Sequence, residues 1–276
     1  MFVRNSLCGE TDVIDPRAIV HPSARLGRDV HIGPWTLIDA DVEIGDSCWI
    51  ASHVVLRGPT QIGPENRIYQ FATVGEGTPA FAYKGEPTVL QIGRGNIIRE
   101  GVTIHRGMVQ GSGRTVIGDN NLFMAYAHVG HDCVVGSNVI MSNNASVSGH
   151  VRVGDFANLG GYAGVPQYRS IGALAMVGGM SLVLKDVPAY VLVSGNPAGA
   201  IGLNLEGMRR RGFEQSIIDA LNDAYRVVYR EGRVLQDALL SLNEVAEEVP
   251  EVAQFLDSMR STRFGIVRPR RERAAD

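Results

Sequence analysis

Cysteine is scarce and scattered. Cys8, Cys48 and Cys133 are an odd set with no paired spacing, which excludes a disulfide framework and points to a reducing cytoplasm. No apolar run approaches the roughly 18 residues that a membrane span requires. Met1 to Glu10 carries no hydrophobic signal segment. Neither sign of charge dominates, and a net charge of −3 argues against a general nucleic-acid binder. No Gly-x-Ser-x-Gly elbow occurs, so nothing marks an activated serine nucleophile. Over the first two thirds of the chain, apolar residues follow neither the 3.6-residue period of a helix nor the 2-residue period of a strand.

Glycine, by contrast, is abundant, with 33 residues in a chain of 276. The apolar residues recur every sixth position: Leu26, Ile32, Ile38, Ile44, Ile50, Leu56, Ile62, Ile68 and Val74, then Ile92, Ile98 and Ile104 in the same phase. The ladder slips by one at Ile117 and runs on through Phe123, Val129, Val135, Met141, Val147, Val153, Leu159, Val165, Ile171, Val177 and Val183. A glycine often follows the rung. This is a hexapeptide repeat, in which short flat strands joined by tight turns stack, three to a coil, as a parallel β-helix. The glycine excess suits corners that need positive φ.

Two stretches interrupt the ladder. Glu76 to Gln91, with Pro79, Phe81, Tyr83 and Pro87, reads as an expelled loop. Because the phase survives it, it is expected to replace one coil-length of sequence. His105 to Val116, with Gly107, Gly111 and Gly113, shifts the phase and reads as a second loop. Long loops on a rigid scaffold tend to carry function. After Asn196-Pro197-Ala198 the spacing becomes helical. One helix ends at Gly232, a second carries Leu235, Leu239, Leu242 and Val245, and a third opens at Pro250. The expected organisation is a lead-in over 1–15, a β-helix over 16–200, a small α-helical domain over 201–265, and a solvated basic tail over 266–276.

Coil geometry turns sequence separation into proximity. Residues eighteen apart sit about 4.8 Å from one another, the spacing of neighbouring strands. His131 therefore falls beneath Gly149, and Asp132 beneath His150, with His128 near the same corner. His131 backed by Asp132 makes a general-base pair. Gly149, lacking a side chain, lets a substrate carbonyl approach its N–H as an oxyanion donor. Cys133, in a repeat position, is a small packing residue. No metal is expected: the three histidines do not reproduce the ligand spacing of the γ-class carbonic anhydrases, the zinc lyases built on this kind of coil.

Several words in the chain extend this reading. They are Ile104-His105-Arg106-Gly107, Ala127-His128-Val129-Gly130-His131-Asp132-Cys133, Ser148-Gly149-His150-Val151, Gly85-Glu86-Pro87-Thr88, and Asn204-Leu205-Glu206-Gly207-Met208-Arg209-Arg210-Arg211-Gly212-Phe213. Together they resemble the acyl-carrier-protein-dependent UDP-N-acetylglucosamine O-acyltransferases that begin lipid A synthesis. The resemblance implies a left-handed β-helix with a small helical C-terminal domain, and a homotrimer. It also implies transfer of a 3-hydroxyacyl chain from acyl carrier protein to the sugar 3-position, with no cofactor beyond the carrier's own acyl-phosphopantetheine.

The family's roles then fall as follows. His131 is the base, Asp132 its support, and Gly149 the oxyanion amide. His128, His150 and Gln167 line the sugar and acyl-phosphopantetheine cleft. Asn204, Glu206, Arg210 and Arg211 form the uridine and diphosphate subsite, where guanidinium forks suit phosphate oxygens. Gly179 stands at the position that sets acyl-chain depth in the family, and glycine there leaves the groove open to a longer chain. Three positions depart from the pattern: Ala80 and Ala82 stand where the family usually has an aspartate and a lysine, and Pro166 where it commonly has a histidine. These losses leave open another UDP-sugar acceptor, such as a 3-amino sugar nucleotide, or a catalytically silent homologue.

Overall fold

The computed structural model describes residues 14–260 and 262–270. Most of the expected lead-in, and the final six residues of the expected tail, lie outside the described residues.

Strands of mostly two or three residues recur every six positions and stack into three parallel faces. Face one runs from Ile19–Val20 to Gly164–Val165, face two from Arg25–Leu26 to Ser170–Ile171, and face three begins at His31–Ile32. The rungs fill the interior: Ile32, Ile50, Ile68, Ile98, Phe123, Val129, Met141, Val147 and Val177 are completely buried. Asn66, Asn96 and Asn121 form a ladder inside, each carbonyl oxygen accepting a backbone N–H from the next coil at 2.7–2.9 Å.

The corners correct one expectation. Positive φ falls mostly on non-glycine residues in three vertical rows, with Gly95 and Gly101 holding it at two of the corner positions. The corner between faces one and two carries Asp41, Asp132, His150 and Tyr168. The corner between faces two and three carries Asp29, Ser47, Asn138, Phe156, Leu174 and Tyr190, and the corner between faces three and one carries Trp35, Phe71, Tyr126, Tyr162 and Met180. That strain, about 1–2 kcal/mol per residue, is offset by a bond to the coil below, such as Ser47 N–H to Arg28 C=O at 2.8 Å. Apart from Gly75, which holds positive φ itself, the glycines after the rungs serve close approach instead. A Cβ on Gly33 would lie 2.7 Å from Ala51 backbone, and one on Gly160 2.5 Å from Gly179 backbone.

Both long loops leave the corner between faces one and two. Neighbouring coils pair eighteen residues apart, as Ile19 with Leu37, but across the first loop Leu90 pairs with Thr60 and Thr73 with Thr103. The first loop is thus twelve residues inserted into an otherwise complete coil, rather than a coil replaced by loop. The second inserts seven, as Thr103 pairs with His128 and Val89 with Arg114. Two hexapeptides preserve the phase; one hexapeptide plus one residue shifts it.

The coil ends in an antiparallel hairpin, Val191–Ser194 with Gly199–Leu203. Among the described residues five helices follow: α1 Leu205–Arg210, α2 Gln215–Tyr229, α3 Leu235–Ser241, α4 Asn243–Glu248 and α5 Pro250–Arg260. The helices α2 and α5 bury Ile218, Leu221, Tyr225, Val228, Val252, Phe255 and Leu256. The chain then returns to the coil where the sequence suggested a solvated tail. Ile266 bridges Asp186, Ile266 and Val267 are buried, and the Arg268 guanidinium donates to the Val228 carbonyl at 2.7 Å. Two apolar residues outweigh the surrounding arginines.

Candidate active site

The turn after strand His128–Val129 holds the candidate base. His131 Nδ1 lies 2.8 Å from Asp132 Oδ2, and the two residues are only 9% and 6% exposed. The second loop folds over the carboxylate. Asp132 Oδ2 also accepts the Met108 N–H at 2.9 Å, while Oδ1 faces the Ser112 N–H at 2.7 Å, the Ser112 hydroxyl at 2.9 Å and the Gly113 N–H at 3.1 Å. Burial alone would raise the Asp132 pKa, but the bonds from His131, Ser112 and Met108 outweigh it and hold the acid below its ordinary value. An anionic Asp132 makes Nδ1 the protonated nitrogen of His131, which leaves Nε2 as the free acceptor.

Nε2 faces Gly149 on the next coil. A Cβ there would stand 2.4 Å from it, so only glycine fits. Among the described residues the Gly149 N–H donates to no partner, whereas the neighbouring His150 N–H is bonded to the His131 carbonyl at 2.9 Å. A free N–H therefore stands beside a free basic nitrogen, with no side chain between them.

The His150 ring stands edge-on to His131 at 4.9 Å and stacks on Tyr168 at 4.4 Å. His128 Nδ1 pairs with the Thr103 hydroxyl at 2.7 Å, and its ring meets that of His105 at 5.0 Å. Burial lowers all three flanking histidines, and the His131 ring adds to the effect at His128. His105 falls to about 4, through burial and then His128, with Glu76 opposing. They are neutral at physiological pH. The first loop is tied to the second at its root, where Arg106 donates to the Tyr83 hydroxyl at 3.0 Å and Tyr83 donates to the Glu86 carbonyl at 3.0 Å. Ala80, Ala82 and the fully exposed Phe81 form its tip.

His131, Asp132 and His150 offer ligand atoms within 4.8 Å of one another. The carboxylate, however, already faces five donors, so its lone pairs are committed and the trio is poorly suited to a cation. Cys133 is completely buried, and burial pushes its thiol up to about 12, far from a nucleophilic thiolate.

Of the sequence-expected residues, one corner unites His131, Asp132, Gly149, His150 and Gln167, with His128 on the adjoining strand; Gln167 is exposed above Gly149. The others lie elsewhere on the chain. Gly179 is on the corner between faces three and one, next to Gly161. Asn204, Glu206, Arg210 and Arg211 sit against the corner between faces two and three. There Arg211 stacks 3.6 Å from the Phe156 ring centre, beside an open cleft of about 730 Å³ that Leu174, Tyr190 and Phe213 also line. Asn204 caps α1, accepting the Gly207 N–H at 3.0 Å and donating to the Leu174 carbonyl at 2.9 Å. Glu206 pairs with Arg210 at 2.8 Å. Sequence reasoning missed Ser112, Met108, Thr103 and Tyr168. The Gly111-Ser112-Gly113 run in a phase-shifting loop was the available signal.

Residues 114–149 match the bacterial transferase hexapeptide family, in its six-repeat form, which sets the class: a repeat-coil transferase. Residues 186–267 match domain 2 of the UDP-N-acetylglucosamine O-acyltransferases. The acyl-[acyl-carrier-protein]–UDP-N-acetylglucosamine O-acyltransferase of Saccharophagus degradans is 56% identical over 255 residues, 92% of this chain and 99% of that one. Its counterpart in Pseudomonas aeruginosa is 58% identical over 256 residues, 93% and 99% of the two chains. The crystal structure of UDP-N-acetylglucosamine O-acyltransferase from Moraxella catarrhalis superposes with a TM-score of 0.90 at 44% identity, covering 92% of this chain and 99% of that one. The chain belongs to the UDP-N-acetylglucosamine O-acyltransferase family, and it is an acyltransferase. Its coil is the parallel β-helix read from the hexapeptide period, left-handed as the family resemblance implied, with a small helical C-terminal part.

Proposed function

We propose that the protein transfers a 3-hydroxyacyl chain from acyl carrier protein to the 3-hydroxyl of UDP-N-acetylglucosamine, the opening step of lipid A synthesis. The relatives' names supply the substrates. The observation that carries the chemistry is His131 Nε2, freed by the 2.8 Å bond of Nδ1 to Asp132, facing the side-chain-free Gly149. Nε2 removes the proton from the sugar hydroxyl as its oxygen attacks the thioester carbonyl. The Gly149 N–H faces the developing oxyanion. That attack forms the new C–O bond; collapse of the tetrahedral intermediate restores the carbonyl and breaks the C–S bond, and the phosphopantetheine thiolate leaves with the proton carried by His131. His128, His150 and Gln167 border the acceptor and the thioester. The acyl group arrives already activated, so the scheme uses neither cofactor nor metal.

Arg210 and Arg211 are suited to the diphosphate and Gly179 to the end of the acyl chain, with Asn204 and Glu206 ordering the α1 terminus that carries the arginines. Together with His131 and Gly149 they occupy three different corners of one coil. A closed threefold assembly, in which one protomer's corner faces another's, supports a complete site, and the protein works as a homotrimer. The described cysteines, Cys48 and Cys133, are free thiols, which supports a cytoplasmic enzyme. No helix of the described residues is long and apolar enough to cross a membrane.

The test incubates purified protein with 3-hydroxyacyl carrier protein and UDP-N-acetylglucosamine, reading the product by mass spectrometry and the assembly by light scattering. An O-acylated sugar nucleotide from a trimer is expected. No product, or a monomer at micromolar concentration, contradicts the reading.

A further inference from the structure

The second loop closes on a single side chain, and one residue dominates the closure. Ser112 places both its N–H and its hydroxyl on Asp132 Oδ1, at 2.7 and 2.9 Å. The loop can approach this closely because position 111 is glycine: a Cβ there would fall 2.5 Å from Oδ1 and 2.6 Å from His150 Cε1. Three backbone N–H groups, of Met108, Ser112 and Gly113, already anchor the loop to the carboxylate, so the hydroxyl is not needed for that. Its one proton has two acceptors within reach, Asp132 Oδ1 and the Arg114 carbonyl, both at 2.9 Å. The charged oxygen is the stronger acceptor.

We propose that Ser112 is a positioning residue for acyl transfer: its hydroxyl binds the carboxylate that holds His131 and weakens that carboxylate's pull on the imidazole. The proposal rests on the reading of His131 as the base. Each donor added to a carboxylate lowers its basicity. A less basic Asp132 stabilises the imidazolium less, so Nε2 stays unprotonated to lower pH. The titratable groups around the dyad are His150 from the coil above, His128 on the adjoining strand, His105 and Glu76 beyond it, and Cys133 in the same turn. The loop contributes amides and one hydroxyl to Asp132, with no charged side chain among these contacts. None of these other groups is altered by a substitution at Ser112.

The test compares wild type with Ser112→Thr, Ser112→Cys and Ser112→Ala, measuring kcat and KM across pH. Activity is lost in acid as the base takes up a proton. Ser112→Ala should move that acid limb upward by about half a pH unit, the scale of one lost donor, and lower kcat about threefold below the limb with KM unchanged. Ser112→Thr should restore the wild-type profile and Ser112→Cys should fall between. A uniform loss at every pH, or a raised KM with the limb unmoved, overturns the proposal. A second readout needs no turnover: the Nδ1–H proton resonance of His131 in the ligand-free protein should move downfield in Ser112→Ala. An unshifted resonance in a folded variant also overturns it. Absence of turnover in the wild type would count against the proposed function instead, and the resonance would still decide the role of Ser112.

Discussion

Replacing Gly149 with alanine tests the site by a single methyl group. Its φ lies outside the left-handed region, so the backbone accepts alanine, and the change adds no charge or polar group. The new Cβ would lie 2.4 Å from His131 Nε2 and 2.5 Å from Cε1, where ordinary contact begins near 3.4 Å. The ring must therefore retreat by about 1 Å, and it has little freedom to do so. Its Nδ1 is tied to Asp132 at 2.8 Å and its face is bordered by His150 at 4.9 Å. A displacement of about 1 Å at a reacting group costs on the order of 10²-fold in rate, about 2.7 kcal/mol of barrier. The methyl also occupies the approach to the Gly149 N–H, and loss of an oxyanion donor alone is worth roughly 10²–10³. Gly149→Ala should accordingly lower kcat/KM by 10² or more, measured by product formation under saturating acyl carrier protein. The thermal midpoint should move by only a few degrees. A folded Gly149→Ala protein with turnover within about threefold of wild type would refute both the placement of the base and the role of the amide.

Other expectations follow from the same geometry. Asp132→Asn sets an amide NH₂ against backbone N–H groups whichever way it turns, since both carboxylate oxygens accept from the loop. It should cost kcat on the order of 10²-fold, less than removing the base itself, because the carboxylate only supports the ring; a loss below tenfold would contradict the carboxylate's assigned role. His105, depressed from 6.5 to about 4 by burial, binds a proton in the unfolded chain before it does in the folded one. Stability should therefore decline as pH falls from about 6.5 to about 4. His105→Asn should flatten that window in denaturant titrations at successive pH values, and an unchanged slope would contradict the burial argument. Ala80→Asp with Ala82→Lys restores the pair the family pattern carries on the first loop, and should raise kcat/KM for UDP-N-acetylglucosamine. An unchanged or lower value means these alanines leave no contact unmet.

The interior of the coil was readable because one physical constraint repeats. A residue that must point inward every six positions leaves a period that chance does not imitate, and Ile32, Ile68, Phe123 and Val177 all lie where the period puts them. The dyad was readable for the same reason, since an eighteen-residue coil places Gly149 over His131. What stayed hidden were contacts that do not repeat. Ser112 reaches Asp132 from a loop whose path depends on Gly111, and no period predicts that path. Glycine was expected to hold the positive φ, whereas side-chain-bearing residues such as Trp35, Tyr126 and His150 hold most of it, with Gly95 and Gly101 the exceptions, and most rung-following glycines make room for the neighbouring coil. The return of Ile266 and Val267 onto the coil was obscured by the arginines beside them.

The central claim is that His131 is the base of a direct transfer between thioester and sugar hydroxyl. Its most direct test is the steady-state rate of O-acylated product formation by His131→Ala, with the oligomer and thermal midpoint verified on the same preparation. A loss of roughly 10²–10⁴ in kcat, with assembly and melting unchanged, is the predicted result. Near-native turnover by an intact His131→Ala protein would contradict it.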